Sequence, residues 1–235
     1  MSPTRIALLF PELLGTYGDG GNAIVLHKRL EWRGLPSEIV RVGVDDPLPH
    51  DCHLYVLGGG EDAPQTFAAQ RLQDGGFIGA VDDGAVVFAV CAGLQVLGNS
   101  FTGSDGAAQD GLGLLDCTTR PKGERMIGEL VVQPTAVDLP LLTGFETHGG
   151  ITEVGPDAKP LGRVRVGFGN GAGAVEGVVS GPRRIVGTYL HGPALARNPA
   201  LADLLLSWAV GGALEPLDEP LVDRLRAERL DAALR

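Results

Sequence analysis

The 235-residue sequence has few cysteines, a shortage of basic residues and no long hydrophobic run. Its three cysteines, Cys52, Cys91 and Cys117, form no CxxC pair, which argues against a disulfide framework and against a zinc site. Acidic residues outnumber basic ones by 29 to 19, and the net charge of −10 argues against nucleic acid or an anionic membrane surface as a partner. No apolar run approaches the roughly 20 residues of a membrane-spanning helix, and the N-terminus lacks the profile of a signal peptide. We therefore expect a cytoplasmic protein with no membrane insertion and no metal bound by this chain.

The sequence also lacks a P-loop, because the pattern G-x-x-x-x-G-K-[ST] occurs nowhere in it. What it does contain is an alternation of apolar strands and helical segments, which is typical of a doubly wound α/β fold. The predicted strands are Arg5–Phe10, Ser37–Val42, Leu54–Leu57, Ala85–Val90 and Ile185–Leu190, and the predicted helices are Asn22–Trp32, Ala63–Gln73 and Pro199–Val210.

Residues 101–182 are less regular and rich in glycine. Strands are predicted at Gly113–Thr118 and Ile127–Val132, with the charged segment Pro121–Arg125 between them. The glycine-dense segments Gly144–Ile151 and Gly162–Gly173 are predicted to be loops with short strands, which we expect to be antiparallel additions to the main sheet. The chain is therefore predicted to consist of one domain, residues 1–212, followed by a helical tail, residues 213–235.

Cys91 follows a buried apolar strand and precedes a helix. The small residues around it allow a sharp turn that holds the thiol at the end of the strand, as in a nucleophile elbow. The helix N-terminus is expected to favour the thiolate and so to lower the pKa of Cys91. Gln95 lies four residues further on and shares the same helix face. A buried cysteine in an ordinary strand–helix turn is the alternative interpretation.

Three glycines, Gly58–Gly60, follow the strand Leu54–Leu57 at what should be the same edge of the sheet. Their backbone N–H groups are free to approach a ligand, so they could form an oxyanion hole beside Cys91 or simply a flexible turn.

A cysteine nucleophile needs a base that later protonates the leaving amine. Of the five histidines, His191 directly follows the strand Ile185–Leu190 and should emerge at the same sheet edge as Cys91. We rank His191 first and His148, in a glycine-rich loop, second. A structural histidine is the alternative for either position.

Taken together, six collinear stretches resemble the class I (triad) glutamine amidotransferases, in the branch shared with cobyric acid synthase. Within that branch the pattern is most similar to the GatD subunits of lipid II isoglutaminyl synthase. The stretches are LLGTYGDGGNAIVLHKRLEWRG (residues 13–34), VLGGGEDAPQ (56–65), VFAVCAGLQVLG (87–98), GERMIGE (123–129), GFETHGG (144–150) and GTYLHGPALARNPALAD (187–203).

The resemblance implies a flavodoxin-like, mostly parallel sheet flanked by helices, with antiparallel additions, and a glutaminase site. Cys91 would attack the side-chain amide of L-glutamine, and His191 would transfer the proton. Backbone N–H groups near Gly59 or Gly60 and at Ala92 would stabilise the oxyanion.

The resemblance also implies two residues that bind the substrate. Gln95 matches a position that contacts glutamine. Arg125 matches an arginine implicated in substrate binding, for which a surface salt bridge is the alternative role.

One departure from the family concerns the acid of the triad. The common pattern is His-x-Glu, but Pro193 stands two residues after His191. The acid would then come from elsewhere, with Glu146 as a candidate, or from a partner subunit. On that basis the isolated chain is predicted to be a poor glutaminase.

The resemblance further implies a heterodimer with a MurT-like Mur ligase subunit. That partner would bind ATP and Mg²⁺, and would use the ammonia to convert D-Glu of the lipid II stem peptide to D-isoglutamine. No cofactor is expected in this chain. The alternatives are an amidotransferase subunit for another acceptor, such as a corrinoid carboxylate, and a non-catalytic regulatory module of the same fold.

Overall fold

The computed structural model describes residues 2–73, 76–103, 106–171 and 174–235, and for Asp62 the backbone alone. Its centre is a six-stranded sheet in the order β2-β1-β3-β4-β12-β11, in which only β11 runs antiparallel to its neighbour among the pairings observed. The strands are β1 (Thr4–Leu9), β2 (Ser37–Val42), β3 (Leu54–Leu57), β4 (Val86–Val90), β11 (Val178–Ser180) and β12 (Ile185–Thr188).

Apolar residues on both faces of β3, β4 and β12 explain the central position of these strands. Every residue of the three strands is buried, because helices or neighbouring segments cover both faces of the sheet. The helices of the chain are α1 (Gly21–Glu31), α2 (Asp62–Gln73), α3 (Phe77–Asp82), α4 (Ala92–Leu97), α5 (Ala194–Arg197), α6 (Pro199–Val210) and α7 (Pro220–Ala233). The predicted doubly wound α/β architecture is confirmed.

A second sheet, built from residues between 100 and 176, stands beside the first. Its strands are β5 (Ser100–Thr102), β6 (Ala108–Asp110), β7 (Cys117–Pro134), β8 (Leu142–Val154), β9 (Gly162–Val166) and β10 (Val175–Glu176). The long strands β7 and β8 pair antiparallel from Cys117↔Val154 to Val132↔Leu142, with a register irregularity between Pro121 and Met126. Antiparallel additions are expected on the main sheet. There, β11 is the added strand, whereas β6, β7, β8, β9 and β10 make their antiparallel pairs in this separate sheet.

The predicted break at Pro121–Arg125 is wrong, because this charged segment lies within β7. Its side chains are mostly exposed, and its pairing with β8 is interrupted by a register irregularity between Pro121 and Met126. The predicted strand at Gly113–Thr118 is also largely wrong, since β7 begins only at Cys117. The helix α3 was not predicted, and it buries Phe77, Ala80 and Val81.

The C-terminal tail is attached to the domain through an ion-pair network. Arg29 of α1 is buried and donates hydrogen bonds to Asp203 of α6 and to Glu219, which immediately precedes α7. Arg33 adds hydrogen bonds to Asp203 and to the carbonyl of Glu215. Beyond this network α7 has no buried residue, as expected for a peripheral helix.

Candidate active site

Four segments meet at the carboxyl edge of the main sheet, where doubly wound folds bind their ligands. The loop after β1 carries Tyr17 and Asp19, and the loop after β3 carries the three glycines. Cys91 follows β4, and His191 lies three residues beyond β12. Since β4 and β12 are neighbouring parallel strands, the prediction that Cys91 and His191 emerge at the same sheet edge is confirmed.

The backbone at Cys91 forms the tight turn that the sequence predicts. Its φ of 52° and ψ of −109° are unfavourable for a residue with a side chain, as expected for a nucleophile elbow. The backbone N–H of Cys91 donates to the carbonyl of Thr188 at 2.8 Å, which ties the elbow to β12. A Cβ at Gly93 would lie 2.8 Å from Cβ of Leu57, so a glycine is needed where α4 passes close to β3.

The predicted lowering of the Cys91 pKa is wrong. Burial raises the pKa of this thiol to about 12, and the negative charge of Asp19 adds to the rise. The backbone hydrogen bond at Ala92 and the charge of Arg125 act in the opposite direction but are outweighed. A helix of six residues with a deeply buried N-terminus does not offset the loss of hydration of a thiolate. The thiol is therefore neutral at pH 7.

The imidazole of His191 is held by a carboxylate from this same chain. Nδ1 of His191 lies 3.0 Å from Oδ2 and 3.2 Å from Oδ1 of Asp19, and both side chains are fully buried. Oδ2 of Asp19 also accepts the backbone N–H of Gly59 at 2.9 Å. The other ring nitrogen, Nε2 of His191, is buried and has no hydrogen-bond partner among the described residues.

The candidate Glu146 is wrong as the acid beside His191. Its buried carboxylate accepts the backbone N–H groups of Phe168 and Gly169, at 2.6 and 2.9 Å. It therefore fastens the 167–169 turn to β8 and does not contact His191. Among the described residues, the carboxylate beside Nδ1 of His191 is that of Asp19.

His148, the second-ranked histidine, has both ring nitrogens engaged. Nδ1 lies 3.0 Å from the carbonyl of Gly150, and Nε2 lies 3.4 Å from Oε2 of Glu146. The ring stacks on Tyr189 with a centroid separation of 3.8 Å. His148 contributes to the wall of the pocket, but its nitrogens are occupied by these contacts.

A cavity of about 360 Å³ opens above Cys91. Arg125 lines this cavity from β7, and its Nη2 donates to the hydroxyl of Tyr17 at 2.8 Å. The ring of Tyr17 meets that of His191 edge-on, with the centroids 4.9 Å apart. The structure thus brings Arg125, predicted from the sequence, together with Cys91 at one pocket.

The predicted oxyanion donors are placed differently from one another. The N–H of Gly59 is directed at Asp19, whereas Gly60 and Ala92 line the cavity with Cys91. Gln95 also lines the cavity; its Nε2 donates to the Tyr189 hydroxyl at 3.1 Å, and its Oε1 accepts from Gln65 at 2.8 Å. The amide of Gln95 is therefore fixed in orientation.

Asp19 and Tyr17 were not predicted as site residues. They lie 172 and 174 residues before His191, within the stretch of residues 13–34 that resembles the family, but that resemblance assigned neither of them a role. The available signal was their position in a glycine-rich loop directly after the first strand of a parallel sheet, since such loops lie at the ligand-binding edge.

In the part of the chain that the structure describes, no cluster of three or more His, Cys, Asp or Glu side chains could hold a metal ion. Likewise, none of the described helices has the length and apolar character needed to cross a bilayer.

The sequence matches the family of CobB/CobQ-like glutamine amidotransferase domains over residues 5–199. It is 34% identical over 202 residues to the GatD subunit of lipid II isoglutaminyl synthase (glutamine-hydrolyzing) from Staphylococcus aureus, covering 84% of this chain and 81% of that one. The same subunit from Streptococcus pneumoniae is 33% identical over 211 residues, with coverage of 88% and 80%. A probable cobyric acid synthase from Methanopyrus kandleri is 32% identical over 212 residues, which cover 83% of this chain but 42% of the relative.

Two solved structures share the fold at low sequence identity. A crystal structure of a glutamine amidotransferase has a TM-score of 0.58 and 19% identity, covering 87% of this chain and 98% of that one. The glutaminase domain of the Trypanosoma brucei CTPS, solved with bound acivicin, has a TM-score of 0.56 and 12% identity, with coverage of 90% and 96%.

Proposed function

Since this chain belongs to the CobB/CobQ-like family of glutamine amidotransferase domains, we propose that it is the glutaminase subunit of a lipid II isoglutaminyl synthase. It hydrolyses L-glutamine at Cys91 and passes the ammonia to a MurT-like, ATP-dependent ligase subunit in the cytoplasm. That ligase amidates the α-carboxylate of D-Glu in the peptidoglycan precursor to D-isoglutamine. Support for the acceptor comes from GatD subunits that match this chain over at least four-fifths of both sequences.

The observation that carries the glutaminase activity is the buried Asp19–His191 pair, which stands at the same sheet edge as Cys91, a residue of the pocket wall. The carboxylate of Asp19 accepts a hydrogen bond from Nδ1–H of His191. This contact favours the tautomer in which Nε2 carries no proton. Nε2 is buried and without a partner among the described residues, and is thus available as a base. Because burial keeps the Cys91 thiol neutral, a base must remove its proton as the bond to substrate forms.

The chemistry follows from these positions. Nε2 of His191 takes the proton of the Cys91 thiol while the sulfur attacks the side-chain amide carbon of glutamine. We expect the backbone N–H groups of Gly60 and Ala92, two residues that line the cavity, to stabilise the resulting oxyanion. When the intermediate collapses, the C–N bond breaks and the imidazolium of His191 gives its proton to the leaving ammonia.

The glutamyl thioester that remains on Cys91 is then hydrolysed. His191 removes a proton from the attacking water, the C–S bond breaks, and the thiol recovers its proton from the imidazolium. Glutamate leaves the pocket. Asp19 is a positioning residue throughout, since it contacts His191 and not the reacting atoms.

A different acceptor is the second candidate function. The 32% identity to a probable cobyric acid synthase favours an amidotransferase subunit that supplies ammonia for a corrinoid carboxylate. The glutaminase half-reaction would be the same. The third alternative, a non-catalytic regulatory module, is disfavoured by the retention of Cys91, His191 and Asp19 in one arrangement.

The test is glutamate release by the purified chain, with and without a co-expressed Mur-ligase-like partner. Because the chain supplies its own acid, we expect the isolated subunit to hydrolyse glutamine, which reverses the expectation drawn from Pro193. Cys91→Ala should abolish release, whereas Cys52→Ala, at a cysteine that is also buried but lies outside the pocket, should not. No release in either condition would contradict the glutaminase assignment. Release without amidation of lipid II by the complex would favour the alternative of another acceptor, such as a corrinoid carboxylate.

A further inference from the structure

Glutamine carries a negative α-carboxylate and a positive α-ammonium at its α-carbon, and Arg125 is complementary only to the carboxylate. Arg125 can bind the α-carboxylate, but no group has been assigned to the α-ammonium. An uncompensated ammonium beside the Arg125 guanidinium would weaken binding, because like charges repel. The pocket therefore has a reason to contain an acidic side chain near Arg125.

Two acidic side chains among the described residues line the cavity, Glu61 and Glu124. Glu124 lies 3.7 Å from Nζ of Lys122 on the same strand, and its side chain is 75% exposed. Glu61 follows the three glycines of the loop after β3, on the same side of the pocket as Gly60 and the elbow of Cys91.

Glu61 is connected to Arg125 through one hydroxyl. The Tyr17 hydroxyl donates to Oε1 of Glu61 at 3.2 Å and accepts from Nη2 of Arg125 at 2.8 Å. The guanidinium and the carboxylate thus lie two hydrogen bonds apart, with opposite charges on the two sides of Tyr17. The ammonium and the carboxylate of an α-amino acid are attached to the same carbon. One such head group can therefore contact Glu61 with its ammonium and Arg125 with its carboxylate.

The charges of Arg125 and Glu61 also influence the thiol of Cys91. Arg125 lowers the pKa of the Cys91 thiol and Glu61 raises it, although burial outweighs both. Tyr17 fixes the distance between this charged pair and the base, because its ring packs edge-on against His191. A head group held at Arg125 and Glu61 would therefore lie at a defined distance from Cys91 and His191.

We propose that Glu61 binds the α-ammonium group of the substrate, opposite Arg125 on the α-carboxylate, with the Tyr17 hydroxyl between them. This inference rests on the proposed function, since it assigns the recognition of the same substrate. Its consequence is selectivity for a free α-amino acid. An Nα-acylated glutamine, or a glutamine within a peptide, has no ammonium to offer Glu61 and leaves that carboxylate unpaired.

Binding of two ligands to the Cys91→Ala variant tests the assignment by calorimetry. L-Glutamine has the α-ammonium, and glutaramate, the monoamide of glutaric acid, lacks it but keeps the carboxylate and the side-chain amide. We expect Glu61→Gln in this background to weaken glutamine binding about tenfold or more and to leave glutaramate binding within about twofold. Arg125→Gln should weaken the binding of both ligands.

Glu124→Gln is the matched control, because it removes the same charge from the pocket rim without touching Tyr17. It should leave both dissociation constants within about twofold. Equal weakening of the two ligands by Glu61→Gln, or no weakening of either, would overturn the role of Glu61 while leaving the glutaminase assignment intact. If the Cys91→Ala protein bound neither ligand, with or without the Mur-ligase-like partner, the proposed function would fail, and this inference with it.

Discussion

The substitution Asp19→Asn separates the positioning of His191 from every other feature of the site. Asp19 is fully buried, and asparagine has nearly the same shape, so the packing of the loop is retained. What changes is the hydrogen bonding, because one of the two acceptor oxygens becomes an NH₂ donor. The N–H of Gly59 needs an acceptor, so the remaining oxygen should stay beside Gly59 and the NH₂ group should turn toward Nδ1 of His191.

The consequence is the wrong tautomer of His191. An NH₂ donor at 3.0 Å requires Nδ1 to be an acceptor, which places the imidazole proton on Nε2. Nε2 can then no longer take the proton of Cys91. In a Ser–His–Asp triad the same change lowers kcat about 10⁴-fold, and we expect a loss of about 10³-fold to 10⁴-fold here. The KM for glutamine should change by no more than about threefold, since Arg125 is untouched.

The assay is steady-state glutamate release, combined with the pH dependence of Cys91 alkylation by iodoacetamide. The negative charge of Asp19 raises the pKa of the thiol, so Asp19→Asn should shift the alkylation profile to lower pH while kcat falls. A general loss of structure would not produce a defined shift of this kind. The control is Glu146→Gln, which should reduce the Tm through the 167–169 turn but keep kcat within about threefold. A kcat for Asp19→Asn within tenfold of the unmodified chain would refute the assignment of Asp19.

Three further predictions concern the site and its surroundings. Gly59→Ala places a Cβ 2.9 Å from Cε1 of His191, so kcat should fall about 10²-fold in the glutamate-release assay, with little change in Tm. Glu176 has a pKa raised to about 7 by burial, so its contribution to stability is present below about pH 4.5 and is lost as the pH rises to about 7; Glu176→Gln should flatten the Tm profile across that interval. Arg29→Met removes the cation that binds Glu219 and leaves Asp203 with Arg33 alone, and should lower the free energy of unfolding in urea by about 3 kcal/mol without lowering kcat.

The main sheet could be predicted well from the sequence. The strands β2 and β3 have the predicted bounds, and α6 spans the predicted Pro199–Val210. These segments carry a strong local signal, because apolar runs or helical periodicity are bounded by glycine and proline. The positions of Cys91 and His191 follow from the same signal, since each comes after a buried strand.

The features that escaped prediction depend on contacts between distant segments. The orienting acid was sought two residues after His191, where the family places it, but a hydrogen bond between residues 19 and 191 leaves no trace in local spacing. The pKa of Cys91 depends on how deeply the elbow is covered, which a strand–helix pattern does not reveal. The charged segment Pro121–Arg125 belongs to β7 although the pairing with β8 is irregular there, a feature that charge and local periodicity do not reveal.

Pro193 stands two residues after His191, at the position of the glutamate in the common His-x-Glu pattern. A Cβ at Gly21 would lie 2.4 Å from Cγ of Pro193, so the proline ring is seated directly on the start of α1, two residues after Asp19. In this chain the carboxylate beside the histidine comes from residue 19, near the opposite end of the sequence. A search by His-x-Glu spacing alone would miss this carboxylate, whereas one that asks which acid reaches the histidine would find it.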